Sequence, residues 1–295
     1  MRASDLVRLV TLAALWGAAY LFVRMAVSSL GTAWLTELRV LIAALAMLIY
    51  ARVISLDLDV RRNLHAYVAM GILNTALPWA MFAYAGNYIS AGYMAITNAA
   101  TPAFGALCGV LWLGEKLTWR KVLGLVLGLA GVALIVGLGP IEVTAQVVIS
   151  AVLCVLASAC YALGPTYIKK RAPGVPALSM SVGSLVVATV VVIPFLPAPP
   201  PLAAFSWQVM VAVLGISLLC SAAAYLLYFR LITNVGPTKT LSVTFLTPIF
   251  GVFWGIVFLN EALRPMMVVG GAMVLTGTAL VLDMMPRRRP AAARG

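Results

Sequence analysis

The sequence predicts an all-α membrane protein: ten transmembrane helices, arranged as two inverted five-helix repeats, with both termini cytoplasmic. Three observations carry this. First, 63% of the 295 residues belong to the apolar AVILMFWYC set and only 9% are charged, with a mean hydropathy of +1.07. Soluble domains carry about 25% charged residues to cover a solvated surface, so most of this surface faces lipid. Second, the chain divides into apolar runs long enough to cross about 30 Å of hydrocarbon. Third, it repeats itself at an interval of 146 residues.

The apolar runs cover 6–28, 33–51, 66–86, 91–112, 120–138, 145–168, 177–194, 206–229, 240–259 and 266–285. Strands of a membrane barrel alternate apolar and polar residues, whereas Val122 to Leu138 is apolar on every face, so the runs are helices. The first follows Arg2 and Arg8 without an A-x-A-like cleavage signal and reads as a retained helix. Between the seventh and eighth, Pro194 to Pro201 holds five prolines and no charge, which predicts an extended outer connector.

Charge orients the helices. With the N-terminus inside, the inner segments hold Arg2, Arg8, Arg52, Arg61, Arg62, Lys116, Arg120, Lys121, Lys169, Lys170, Arg171, Arg230, Lys239, Arg287, Arg288, Arg289 and Arg294. That is 17 of the 20 Lys and Arg, against Arg264 alone in an outer loop. The net charge of +12 therefore sits in clusters flanking membrane segments, not on a basic face interleaved with aromatics, which argues against nucleic acid as a partner. Cys108, Cys154, Cys160 and Cys220 all fall inside apolar runs without a CxxC pair and read as small buried hydrophobes. With one histidine, His65, the sequence offers no metal cluster, and no cofactor is expected.

The repeat aligns Thr101–Leu134 with Thr247–Leu280, identical at 14 of 34 positions. A shared Thr-Pro, a shared Gly-x-x-x-Gly and a shared Glu (Glu115 and Glu261) in one register exceed what apolar composition gives by chance. The chain is accordingly expected to divide into a first repeat at 1–140, a second at 141–286 and a basic cytoplasmic tail at 287–295. Five spans per half is an odd number, so the second copy enters the membrane upside down. Inverted repeats build two equivalent gates around one central site, the architecture of many transporters. Pro102 and Pro248 free a backbone carbonyl in helices four and nine; each is either a packing kink or a hinge, and their symmetric placement favours hinges. Gly105-x-x-x-Gly109 and Gly251-x-x-x-Gly255 offer close-packing faces, within a monomeric bundle in preference to a dimer.

These motifs resemble the drug/metabolite transporter superfamily, in its ten-helix members with two EamA domains. The residues carrying the resemblance are Leu15-Trp16-Gly17, Glu37-Leu-Arg39, Ile89-Ser-Ala-Gly92, Thr101-Pro102, Leu113-Gly-Glu115-Lys-Leu117, Val235-Gly-Pro-Thr-Lys239, Thr247-Pro248 and Leu259-Asn-Glu261-Ala-Leu263. Asn260 stands where the family usually has Gly. Within the family the chain most resembles the YddG-type exporters of aromatic amino acids. The resemblance implies a central cavity lined by helices one, three, four, six, eight and nine, with five and ten supporting it from outside.

Mid-helix polar and aromatic side chains are the candidates for solute contact, because lipid-facing positions disfavour them. They are Trp16 and Tyr20; Asn74, Pro78, Trp79 and Tyr84; Asn98 and Thr101, with repeat equivalents Thr244 and Thr247; Tyr161; and Ser221 with Tyr225. Any one of these aromatics is equally explained by packing; together they suit an amphipathic solute with a flat apolar group. Trp34, Tyr67, Trp119, Tyr167 and Trp207 read as headgroup anchors. None of the eight acids (Asp5, Glu37, Asp57, Asp59, Glu115, Glu142, Glu261, Asp283) lies at a helix centre, nor does any Lys or Arg. A neutral or zwitterionic solute fits best. Arg24 and Glu37 fall at similar depth and are expected to form an ion pair at the outer gate, with Arg39 a second partner. The reading is a transporter exporting amino acids by alternating access, with a broader metabolite or amphipathic-drug exporter as the alternative. An intramembrane enzyme would need a nucleophile and base, or a metal triad, which the sequence does not offer.

Overall fold

In the computed structural model, residues 2–114, 116, 118–137, 144–236, 240 and 243–281 are described. They are almost entirely helical, with no strand among them. Helix α1 (Ala3–Val53) is divided by Gly31, whose φ of 75° and ψ of 165° only glycine adopts freely, into two rods. Helix α2 (Val60–Met70) passes through a π-helical turn at Gly71–Ala76 into α3 (Leu77–Ala85). Helices α4 (Ala91–Asn98) and α5 (Thr101–Leu113) are separated by a turn at Ala99 and Ala100. Then come α6 (Trp119–Gly137), α7 (Ala145–Arg171) and α8 (Ala177–Val192). Helix α9 (Trp207–Leu214) leads through a second π segment, Gly215–Ala223, into α10 (Ala224–Val235), followed by α11 (Val243–Leu259) and α12 (Pro265–Val281).

Six helical stretches (3–53, 60–85, 91–113, 145–171, 177–195 and 207–235) are long and apolar enough to cross a membrane. The packing is that of a membrane protein. Leu, Ile and Val such as Ile49, Val126, Val190 and Val257 are exposed, while the interior is rich in Ala, Gly, Ser and Thr. Many buried hydroxyls bond the carbonyl one turn back in their own helix, as Thr97 does to Tyr93 and Ser217 to Val213, which keeps those donors satisfied in a medium without water.

Glycines set the closest approaches. A Cβ on Gly17 would lie 2.7 Å from Cβ of Phe250, so α1 and α11 nearly touch there. Helices α6 and α12 meet antiparallel: Gly124 packs on Gly277 and Gly131 on Gly270, each leaving no room for a Cβ. Gly124 and Gly131 are the repeat counterparts of Gly270 and Gly277, so the contact is reciprocal. Gly251 packs against Ala95 and Gly255 against Glu261, which places the second small-residue motif inside the bundle. Gly105 is different: a Cβ there would meet nothing within 4 Å.

Several expectations are corrected. Tyr67 is no headgroup anchor but is buried, its ring filling the space beside Gly183 and its hydroxyl donating to the Leu58 carbonyl. Trp34 ties down the proline-rich connector instead, with Nε1 3.2 Å from the Pro197 carbonyl and 3.1 Å from that of Ala198. Pro248 lies within the uninterrupted helix α11, whereas Pro102 begins α5 beside a break. The junction between the expected repeats, Glu115, Glu142, Asp283 and the 287–295 tail lie outside the described residues.

Candidate functional site

The central cluster begins with two distortions at matching positions. The π segment Gly71–Ala76 falls, after the repeat offset, within Gly215–Ala223. Pro78 causes the first: it has no N–H for the Asn74 carbonyl, and the wider turn absorbs the mismatch. In the second, Ser221 donates to the carbonyl of Ile216, five residues back, at 2.8 Å. The offset also pairs Thr75 with Ser221 and Trp79 with Tyr225. A widened turn thus presents a hydroxyl and an aromatic ring from each half.

Between them sits Arg39, on the second rod of α1. Its Cζ lies 3.5 Å from the centroid of the Trp79 ring, and Nε donates to Ser221 Oγ at 3.2 Å. Only 9% of the residue is exposed. Tyr161, Cys220, Tyr225 and Tyr20 are its electrostatic neighbours, and no carboxylate is among them. This corrects the expectation of a centre without a cation and of Arg39 beside Glu37. The sequence placed Arg39 near an outer helix end; its long side chain reaches inward to Ser221, midway along 207–235. Moving a guanidinium into the membrane centre costs at least about 2.5–3.5 kcal/mol. A desolvated indole contact returns about 2 kcal/mol, leaving the charge without a counter-charge.

Aromatic rings wall the same region. Phe82 meets Tyr20 edge-on at 5.4 Å and stacks on Tyr161 at 6.2 Å. Asn98 lies beside the Tyr20 phenol, Tyr161 beside Trp79, and Thr75 beside Tyr225. The Thr75 hydroxyl is buried and makes no hydrogen bond of good geometry among the described residues. Tyr20, Trp79, Phe82 and Ser221 are all buried, so the cluster is closed in this conformation. Surface grooves lie elsewhere; one is lined by Arg61, Leu64, His65 and Tyr167.

Of the expected contact residues, Tyr20, Trp79, Asn98, Tyr161, Ser221 and Tyr225 gather here. Asn74 sits against Gly164 on α7, and Pro78 is buried beneath the π turn. Others belong to different environments. Trp16 packs at a tilt against Tyr228, ring centroids 5.4 Å apart, in a separate cluster of α1, α10 and α11. Tyr84 pairs with Tyr88 at the end of α3. Thr247 donates to its own helix at Val243, and Thr244 is half-buried on the preceding turn. Sequence reasoning missed Phe82 and Thr75; extending the repeat back to helix three would have found Thr75 as the mate of Ser221.

The Thr-Pro pair of the first half is part of the broken helix. Pro102 lacks the N–H that would reach Asn98, and the Thr101 hydroxyl takes that carbonyl at 2.8 Å and the Asn98 amide oxygen at 3.0 Å. Thr278, from α12, donates to the next carbonyl, Ala99, at 2.7 Å. Helix α12 thereby braces the break between α4 and α5.

The expected Arg24–Glu37 pair does not form. Arg24 donates to the Gly86 carbonyl at 2.9 Å, and its Nε lies 3.7 Å from Glu261 Oε1. Glu261 accepts from the backbone N–H of Ala91 at 2.9 Å and Gly92 at 3.3 Å. A carboxylate from the α11–α12 loop thus caps α4, where the helix dipole favours negative charge. Glu37 Oε2 is buried without a hydrogen-bond partner among the described residues. Sequence depth alone paired the wrong carboxylate with Arg24, because Glu261 is 237 positions away.

The profile of the EamA-like transporter family matches residues 6–137 and again 148–283. The chain belongs to this family. Its relatives include the uncharacterized transporter YvbV of Bacillus subtilis, 29% identical over 83% of this chain and 80% of its own. A "probable terminal-alkyne amino-acid exporter" of Streptantibioticus cattleyicolor is 25% identical over 95% of this chain and 94% of its own. A solved crystal structure, 17% identical, superposes with a TM-score of 0.64 over 97% of this chain and all of its own, which establishes the shared fold. The protein is a multi-pass membrane transporter with a small-molecule substrate.

Proposed function

We propose that this EamA-family protein exports amino acids, aromatic ones first, by alternating access through the central cluster. The observation that carries the reading is that cluster: Tyr20, Trp79, Phe82, Tyr161 and Tyr225 closing around Asn98, Ser221 and Arg39, with the widened turn of each half presenting one ring (Trp79, Tyr225) and one hydroxyl (Thr75, Ser221). Stacking and edge-on contacts add about 0.5–1.5 kcal/mol each beyond burial. Such modest affinity suits a carrier that must also release its cargo. The relative named for amino-acid export supports the class of solute.

Support for two inverted five-helix units at 1–140 and 141–286 comes from the matched π segments and the reciprocal α6–α12 contact. A reciprocal contact, with i on j′ and j on i′, is what a two-fold axis generates. In this reading the termini are cytoplasmic, the membrane is the bacterial inner membrane and the protein works as a monomer. The closed cluster is the occluded state, and movement at the Pro102 break opens it.

Counterflow in liposomes tests the proposal. Purified protein preloaded with unlabelled phenylalanine should accumulate labelled phenylalanine or tryptophan. Accumulation of cationic dyes without either amino acid would favour the broader drug exporter instead; the buried guanidinium of Arg39 opposes that outcome by repelling cations.

A further inference from the structure

Arg39 is a buried cation whose charge the protein leaves unanswered. Its guanidinium offers five N–H donors in a planar fork matched to carboxylates. Among the described residues only Nε is used, on Ser221 Oγ. The two ion pairs among the described residues, Arg8–Asp5 and Arg24–Glu261, do not involve it. Nearby, the Thr75 hydroxyl is buried beside Tyr225, its one polar neighbour, and makes no hydrogen bond of good geometry among the described residues; Tyr225 itself neighbours Arg39. Thr75 and Ser221 are repeat counterparts; Ser221 meets the guanidinium directly, and Thr75 stands one ring away, beside Tyr225. Among the described residues, flat rings stand around them and no acidic side chain that would hold an ammonium.

We propose that Arg39 is the carboxylate-binding group of the central site, and that the solutes recognised are carboxylates carrying a flat apolar body, with or without an α-amino group. The inference rests on the central cluster being the solute site, and it moves the defining feature from the amino acid to its acid end. Trp79 holds the guanidinium plane from one side and Ser221 fixes Nε, leaving the terminal nitrogens for a bidentate partner. The neighbouring rings receive the apolar body.

The test uses the full-length protein in liposomes preloaded with phenylalanine, with labelled phenylalanine outside and three competitors. 3-Phenylpropionate keeps the carboxylate and lacks the amine; phenethylamine keeps the amine and lacks the carboxylate; phenylalanine amide has its carboxylate neutralised. The expected order places 3-phenylpropionate near phenylalanine, with the other two weaker by about tenfold or more, the worth of a hydrogen-bonded charge. Arg39→Gln should abolish that discrimination, and Arg39→Lys should retain part of it. Phenethylamine competing as well as phenylalanine in the unmodified protein overturns the inference without needing any variant to fold. So does an Arg39→Gln protein of normal melting temperature that still prefers carboxylates. A thermal-shift titration with 3-phenylpropionate separates this from the transport reading. Arg39-dependent binding without counterflow refutes transport and keeps the site; counterflow blind to the carboxylate does the reverse. Absence of both binding and counterflow overturns both.

Discussion

At the scale of single residues, charges inside this bundle are distinguished by their partners. Glu261 is fully employed, accepting two backbone N–H groups at the start of α4 with Arg24 close by. Glu37 is buried with one oxygen unpartnered. The two acids should therefore respond in opposite ways to the same neutralisation. Glu261→Gln keeps the shape but loses the charge at a helix N-terminus, and should cost about 0.5–2 kcal/mol, the range for losing a cap. The measurement is the melting temperature in detergent. Glu37→Gln removes a charge that nothing answers and should leave the melting temperature unchanged or raise it. A Glu37→Gln protein that melts lower than Glu261→Gln would contradict this assignment.

Among elements, the two Thr-Pro helices have diverged. The first half carries a real break at Ala99 and Ala100, with the carbonyls it frees taken by Thr101 and Thr278. The second half runs straight through Pro248. Thr278→Val keeps the volume but leaves the buried Ala99 carbonyl without that donor, which should cost about 1–3 kcal/mol, read as a lower unfolding midpoint. Pro102→Ala restores the N–H that Asn98 lacks and should stiffen the break, slowing counterflow without lowering the melting temperature. Pro248→Ala, in a helix that is already continuous, should change counterflow less. If the two substitutions slow exchange equally, both prolines act as hinges and the asymmetry belongs only to this closed conformation. The helices were readable from apolar length, yet the π segments were not: they depend on Pro78 and on the Ser221 bond to Ile216, both compatible with an ordinary helix on paper.

For the molecule as a whole, the halves are joined where small residues let backbones approach: Gly124 and Gly131 on α6 against Gly277 and Gly270 on α12, and Gly17 against Phe250 and Gly251. Lipid is as apolar as the side chains, so such contacts depend on shape rather than on a hydrophobic drive. Gly277→Leu should drive α6 and α12 apart, costing about 1–3 kcal/mol or more by overpacking, and should lower both folded yield and melting temperature. Leu at Gly105, where a Cβ would meet nothing, should be tolerated. Equal tolerance at both positions would mean the α6–α12 contact contributes little to assembly.

Composition alone established a membrane protein, because a chain with 9% charged residues has too few polar groups to cover a solvated surface. The 146-residue repeat and its shared motifs pointed to the family, and the aromatic and hydroxyl residues of the proposed site were mostly visible as polar groups where lipid would not tolerate them. Which charges meet was decided by the tertiary structure. Arg39 turns inward to Trp79 and Ser221, and Glu261 crosses from the far half to cap α4. The physical reason is that periodicity and burial are properties of a local stretch, while an ion pair or a cation–π contact depends on the rotation and crossing of helices distant in the chain.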